Sequence, residues 1–168
     1  MARVERTKLE KSLVGPAGEH YVLYQLYRRG FLASLAPPGT PEVDVLVLST
    51  DGERVAATIQ VKTRTRGGEG GWQLNVKHES IADDRLLYAF VDMEPEHPVT
   101  FIVPNGVVAR TVKASHAIWL ATPGRHGQAH NDSKMRNLRP SYPYPVPGCE
   151  PGWLQPYRET WKLLRSAE

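Results

Sequence analysis

Gln60 and Lys62 stand two residues apart in the run Ile59-Gln60-Val61-Lys62-Thr63. The run reads as a short strand, and side chains two apart on a strand share a face. Upstream, Asp44 interrupts the apolar stretch Val43-Asp44-Val45-Leu46-Val47-Leu48, where a sheet has no packing use for a carboxylate. Mg²⁺ takes a few protein oxygens and keeps waters. The Asp44 carboxylate, the Gln60 amide oxygen and the Val61 main-chain carbonyl therefore make an adequate half-shell for it. A cation held there polarises a phosphoryl oxygen and helps ionise the attacking water. Lys62, beside it, orients that water or stabilises charge growing on the phosphate. The chemistry that these residue types suit is phosphodiester cleavage dependent on Mg²⁺ or Mn²⁺.

Glu19 joins the set. The spacing predicts a helix from Pro16 to about Arg29, on which Val22, Leu23 and Leu26 follow Glu19 on one face. A carboxylate at the margin of a buried stripe needs a partner, because an unpaired buried charge is costly. A metal ion or its water would serve. Each residue taken alone also has an ordinary reading. The helix dipole favours a Glu in a first turn, Asp44 suits a polar strand rim, and Gln60 with Lys62 suits the solvated face of an edge strand.

These groups act together only if the surrounding elements bring them together. Val4 to Val14 reads as a short helix broken by Gly15-Pro16, with Pro16 opening the next helix and Gly30 stopping it. Phe31 to Thr40 is expected to turn as a loop. Strands at roughly 43–49 and 54–63 form a hairpin about Asp51-Gly52. Parity then decides the chemistry. A two-residue loop pairs residues whose numbers sum to an odd value and puts Asp44 and Gln60 on opposite faces. A shared face requires an even sum, from a three-residue loop or from a bulge.

Further along, Trp72 to Val76 alternates as a strand, and a helical turn is expected near His78 to Asp84. Leu86 to Val91 reads as a strand covered on both faces, with Thr100 to Val103 as its neighbour. Helical spacing covers about Val107 to Leu120. Residues 122–152, rich in Pro, Gly and His, read as an extended surface segment. Trp153 to Leu164 reads as a closing amphipathic helix, docked by Trp161 and Leu164. The order implies one α/β domain over residues 1–168, with a mixed central sheet flanked by helices.

A Glu on the first helix, an Asp on a strand and an acidic-x-Lys strand form the pattern of the PD-(D/E)XK nuclease superfamily. This chain resembles that superfamily in a Gln-x-Lys form. The helix carrying Gly18-Glu19-His20, Leu26 and Arg29-Gly30-Phe31 looks like the opening of its Holliday-junction-resolvase-like members, over about residues 15–64. Trp72-Gln73-Leu74 and Asp132-Ser133-Lys134-Met135-Arg136 are similar to segments of uncharacterised bacterial members. The resemblance implies a restriction-endonuclease-like fold and a metal-dependent endonuclease acting on nucleic acid, DNA in the first place. It implies Glu19, Asp44, Gln60 and Lys62 as the active-site set, with Asp44, Gln60, Val61 and Glu19 about the metal. A homodimer is compatible with it, since many nucleases that cut both strands pair. Val43 stands where the motif has Pro, and Gln60 stands where it has an acid, which removes one negative charge from the site. The alternative is a non-catalytic nucleic-acid-binding or interaction module on the same fold.

Composition bounds these readings. With 168 residues, 40% hydrophobic content, 23% charged residues and four Trp, the chain suits one folded domain. It holds no apolar run of membrane-spanning length and no signal-like N-terminal stretch, so a cytoplasmic protein with no membrane partner is expected. The single Cys149 excludes an internal disulfide and any zinc site needing two thiolates. Net charge is +3 overall, but residues 67–109 are acidic between two basic flanks, a distribution compatible with a phosphate-facing surface. Arg64 and Arg66, beside the loop Gly67 to Gly71, suit either phosphate contacts or a solvated turn. That loop lacks the Gly-Lys-Ser/Thr ending of a P-loop. His126 and His130 are four apart, but Gly127 disfavours the supporting helix and no third zinc ligand is evident. Trp72 and Tyr88 are expected in the core.

Overall fold

Leu86–Asp92 is a seven-residue run without one exposed member, and it lies inside the main sheet. The computed structural model describes residues 10–65, 70–93 and 97–167, with side chains as far as residue 164. Along the chain come α1 (Lys11–Tyr27), β1 (Ala33–Leu35), β2 (Val45–Leu48), β3 (Val55–Arg64) and β4 (Trp72–Asn75). A 3-10 turn, Val76–Glu79, leads to β5 (Leu86–Asp92), β6 (Val99–Pro104), α2 (Asn105–Ala121) and β7 (Met135–Leu138). Five strands form one sheet in the order β1-β2-β3-β5-β6, and β4 pairs with β7 in a second, two-stranded sheet. The β3–β5 pair is parallel and the other pairs of the main sheet are antiparallel, so the sheet is mixed and the class is α/β.

Strand alternation sorts the core onto two faces. Val45, Val47, Ala57, Ile59, Val61, Leu87 and Ala89 meet Val22 and Leu26 of α1 on one side. Leu86, Tyr88, Phe90 and Val103 meet Val108 and Val112 of α2 on the other, together with Trp72, Leu74 and Leu138 of the small sheet. Trp72 and Tyr88 are core residues, as the sequence suggests. Each fully buried side chain of this kind contributes roughly 1.5–3 kcal/mol.

Three local expectations need correction. Pro16 lies inside α1 instead of starting a second helix. The carbonyl that its missing N–H leaves free belongs to Ser12, and both residues are exposed, so that carbonyl is open to solvent. The expected N-terminal helix falls mostly on residues outside those described. Within the expected loop from Phe31, Ala33–Leu35 is an edge strand on β2. The closing segment is not an α-helix: it forms two 3-10 segments, Gln155–Tyr157 and Trp161–Ala167. Pro156 removes a helical donor and Glu159 adopts φ of 51°, which together divide the run. Trp161 and Leu164 nonetheless dock, at 3% and 1% exposure.

The segment read as a surface excursion is mixed. Its first part is exposed, whereas β7 pairs with β4, and Leu138, Val146 and Cys149 are buried. The hairpin solves the parity problem with a bulge. Leu48 pairs with Val55, an odd sum, while Val47 pairs with Ala57, an even one. Ala56 is the extra residue, and beyond it the register places Asp44 on the face of Gln60.

Gly18 fixes how closely α1 approaches this hairpin. A Cβ there would fall inside the Thr63 side chain, 2.9 Å from its Cβ, so only glycine lets the helix lie against the end of β3. Gly18→Ala is expected to destabilise the fold by about 1–3 kcal/mol, as overpacking does. Adding Thr63→Ala removes the nearest clashing atoms and a buried hydroxyl without a partner, so the double variant should recover part of the loss. Urea midpoints of the four proteins in the cycle measure the coupling. A Gly18→Ala protein as stable as the parent refutes the close contact.

Candidate active site

The main sheet forks where β2 gives way to Pro41 and Glu42. The Asp44 N–H still reaches the Ile59 carbonyl at 2.9 Å, and the Asp44 carbonyl accepts from the Ala36 N–H at 2.9 Å. Past that rung the Asp44 side chain replaces the departing backbone. Its Oδ2 accepts from the Val61 N–H at 2.7 Å and from Gln60 Nε2 at 2.6 Å. A carboxylate only accepts, so it fixes the Gln60 amide with nitrogen inward and leaves Oε1 free to meet a cation. The N–H and carbonyl of one strand residue point to the same edge, so the Val61 carbonyl also opens onto the fork. Asp44 Oδ1 takes no hydrogen bond among the described residues. Asp44, Gln60 and Val61 are thus brought together as the sequence suggests.

Lys62 lines the same cleft as Asp44 and Gln60. Burial pushes its ammonium below the ordinary lysine range, with Lys77 adding repulsion. Asp44, Glu42 and Glu19 oppose that shift. Glu19 sits differently. Val61 packs on the α1 side, so Gln60 and Lys62 face away from α1, and Glu19 lies outside the lining of the cleft. Its charge still reaches the fork. Burial raises the Glu19 carboxyl first and repulsion from Asp44 adds to it, while His20 and Lys62 pull it down.

The cleft has a volume of about 720 Å³. Four of its charged or titratable residues escaped the sequence reading: Glu42, Lys77, His78 and Lys134. Glu42 adopts φ of 59°, a left-handed conformation that turns its carboxylate toward Lys77 and His78. His78 Nδ1 lies 2.7 Å from the Tyr88 hydroxyl, and its Nε2 lies 3.6 Å from Glu42 Oε2. With Nε2–H facing the carboxylate, Tyr88 donates to Nδ1, and the chain runs Tyr88 to His78 to Glu42. Glu42 is two residues before Asp44, and the sequence reading gave it no role. The backbone turn that aims it has no sequence signature.

Arg64 is not presented to a ligand as a phosphate contact would be. Its guanidinium pairs with Asp92 at 2.6 Å and lies 4.0 Å above the Trp72 ring, with 11% of the side chain exposed. The parallel register explains this, since Arg64 and Asp92 are partners across β3 and β5. Arg66 lies outside the described residues. His130 stacks on Trp119 at 4.1 Å, and His126 is exposed. Among the described residues no three His, Cys, Asp or Glu side chains converge on a metal position. Any cation at the fork would therefore rely on amide and main-chain oxygens beside its carboxylates. No protein-family model, curated protein or solved structure matches this chain.

His78 gives the cleft a measurable pH signature. Burial, aided by Lys62 and Lys77 and opposed by Glu42, lowers its imidazole from 6.5 to about 4. An imidazole held neutral binds fewer protons folded than unfolded. Its contribution to stability is complete above pH 6.5 and is lost as the pH falls through about 4. The parent should lose more stability than His78→Gln over that interval, because Gln keeps an acceptor for Tyr88 but does not titrate. Urea denaturation at stepped pH measures the difference. Parallel curves for the two proteins would mean that His78 is not held neutral.

Proposed function

We propose that this protein is a Mg²⁺- or Mn²⁺-dependent endonuclease that hydrolyses phosphodiester bonds, with DNA as its substrate. The observation that carries the reading is the fork, where the Asp44 carboxylate engages the Gln60 amide and the Val61 main chain on the wall of the cleft that Lys62 also lines. The donors fit a hard cation that keeps several waters. Asp44 Oδ1, Gln60 Oε1 and the Val61 carbonyl would hold it, with Glu19 completing the charge from the α1 side. When bound, the cation supplies Lewis-acid polarisation of a phosphoryl oxygen. Lys62 Nζ orients the attacking water and stabilises negative charge on the phosphate. Lys77 and Lys134, on the wall of the same cleft, attract the nucleic-acid backbone. Among the described residues no helix is long and apolar enough to cross a membrane.

One observation favours a second reading, a nucleic-acid-binding module without catalysis. Asp44 Oδ2 is already engaged by Gln60 and Val61, so the fork offers less anionic oxygen than an acid at position 60 would give.

Linear, branched and single-stranded DNA incubated with Mg²⁺ and with Mn²⁺ separates the two. The parent is expected to cut at least one substrate. Asp44→Asn keeps an acceptor for Val61 but loses the charge, so both cleavage and calorimetric Mn²⁺ binding should fall. Lys62→Ala should keep Mn²⁺ binding and lose about 10²-fold or more in rate, the scale of removing one transition-state donor. Gln60→Glu should tighten Mn²⁺ binding by adding a charge. A Lys62→Ala protein that cuts as fast as the parent removes Lys62 from the chemistry. A parent that binds DNA and cuts none of the substrates supports the module.

A further inference from the structure

Beyond β7 lies a second hollow of about 380 Å³, and Met135 lines both it and the Asp44–Lys62 cleft. Its walls include Trp119, Tyr142, Tyr144, His116 and Arg139. Most of these rings are held in place. The Tyr142 hydroxyl accepts from the Arg139 N–H at 3.2 Å and donates to the Asn137 carbonyl at 3.3 Å. His116 Nε2 lies 2.8 Å from Asp132 Oδ1, and Trp119 is backed by His130. The Tyr142 and Tyr144 rings stand 6.0 Å apart and are tilted by 37°, a splayed pair rather than a closed stack. The Arg139 guanidinium has no ion-pair partner among the described residues.

Several fixed aromatic rings with an unpaired guanidinium suit a planar π-faced group that carries an anion. A nucleobase with its phosphate has that chemistry, and aromatic platforms bind bases of any sequence. We infer that this hollow is a base subsite. It receives an unpaired base from a single-stranded or locally opened nucleic acid whose backbone crosses Met135 into the Asp44–Lys62 cleft. Met135 is 56% exposed at that crossing and offers an apolar, polarisable surface. Arg139 takes the phosphate next to the bound base. Bases stacked inside a duplex cannot enter the hollow without leaving the helix, so the subsite favours unpaired strands. The inference rests on the nucleic-acid reading above and adds to it the form of substrate that the site accepts.

The test is binding without cleavage. A labelled single-stranded DNA hexamer and its abasic counterpart are titrated in EDTA and followed by fluorescence anisotropy. The abasic strand keeps sugar and phosphate and lacks only the bases. The parent is expected to bind the normal hexamer about tenfold more tightly than the abasic one, the scale of one base–aromatic stack. Tyr144→Ala should lose a similar factor for the normal strand and little for the abasic strand, while Tyr144→Phe keeps the ring and the affinity. Equal parent affinities for the two strands, or a Tyr144→Ala loss as large on the abasic strand, overturn the subsite. A parent that binds neither strand overturns it as well. The abasic comparison needs no variant, so a poorly folded Tyr144→Ala protein cannot obscure the answer. Cleavage assays separate the two claims: a parent that cuts no DNA defeats the nuclease reading, and an Asp44→Asn protein that cuts like the parent defeats the Asp44 assignment, while the strand comparison continues to judge the subsite.

Discussion

Where β2 leaves β3, the Val61 N–H loses its strand partner, and the Asp44 carboxylate supplies the replacement. A buried N–H left without an acceptor costs roughly 1–3 kcal/mol, so this bond alone justifies a carboxylate in an otherwise apolar run. The same oxygen also takes the Gln60 amide by its nitrogen, on the wall of the cleft. The register needed for this depends on one surplus residue, Ala56. Without the bulge, Asp44 would exchange faces with Val45 and the fork would be lined by a valine. The structural role and the proposed chemical role therefore fall on the same atoms. That overlap explains why an Asp reading as a strand-rim residue and an Asp reading as a metal ligand cannot be told apart from sequence.

The electrostatics of the cleft follow from this arrangement. Lys62 is placed where burial disfavours its charge, and three carboxylates restore part of what burial removes. Glu42 is one of them. It holds a left-handed backbone conformation costing about 1–2 kcal/mol for an L-residue. The contacts offsetting that cost are the Lys77 ion pair and the His78 edge. Behind them stands Tyr88, fully buried, its hydroxyl raised above the ordinary range chiefly by burial. A tyrosine that stays protonated and a histidine that stays neutral form a fixed polar chain behind Glu42. Groups that do not reorient leave the field at Lys62 constant, which is what charge stabilisation at a phosphate requires.

Legibility in the sequence tracked the scale of each signal. Period-two alternation and the unbroken run at β5 were readable because burial on a defined face leaves a composition mark. So were the α/β class, the membership of Trp72 and Tyr88 in the core, and the meeting of Asp44 with Gln60. A three-residue strand such as β1 carries too few residues for any period to show. Pro16 reads as a helix start, yet a helix with that turn facing water tolerates the missing donor. Arg64 reads as a surface cation because its partner Asp92 lies 28 positions away and is joined to it only by the parallel register. Glu42 and His78 were hidden for a related reason, since the contact between them is made by a backbone turn and a crossover.

The segment least readable as structure supplies the rigid wall of the candidate site. β7 arises inside a stretch rich in Pro, Gly and His, and it is locked by Arg136, which is buried and paired with Glu79 of the 3-10 turn that carries His78. Arg136 Nη1 also donates to the carbonyls of Ser133 and Met135, at 2.6 Å and 2.9 Å. A buried ion pair adds little net stability, because desolvation offsets the Coulomb gain. Its effect here is geometric. It fixes β7 against the turn bearing His78, so the strand's alternation sends Leu138 into the core and leaves Met135 at the surface. One strand thereby forms the partition between the fork and the aromatic hollow, and under the proposed reading the spacing between a phosphate at Lys62 and a base at Tyr144 would be set by a hydrogen-bonded element instead of a free loop. Rigid spacing of this kind would convert two separate affinities into recognition of one continuous strand.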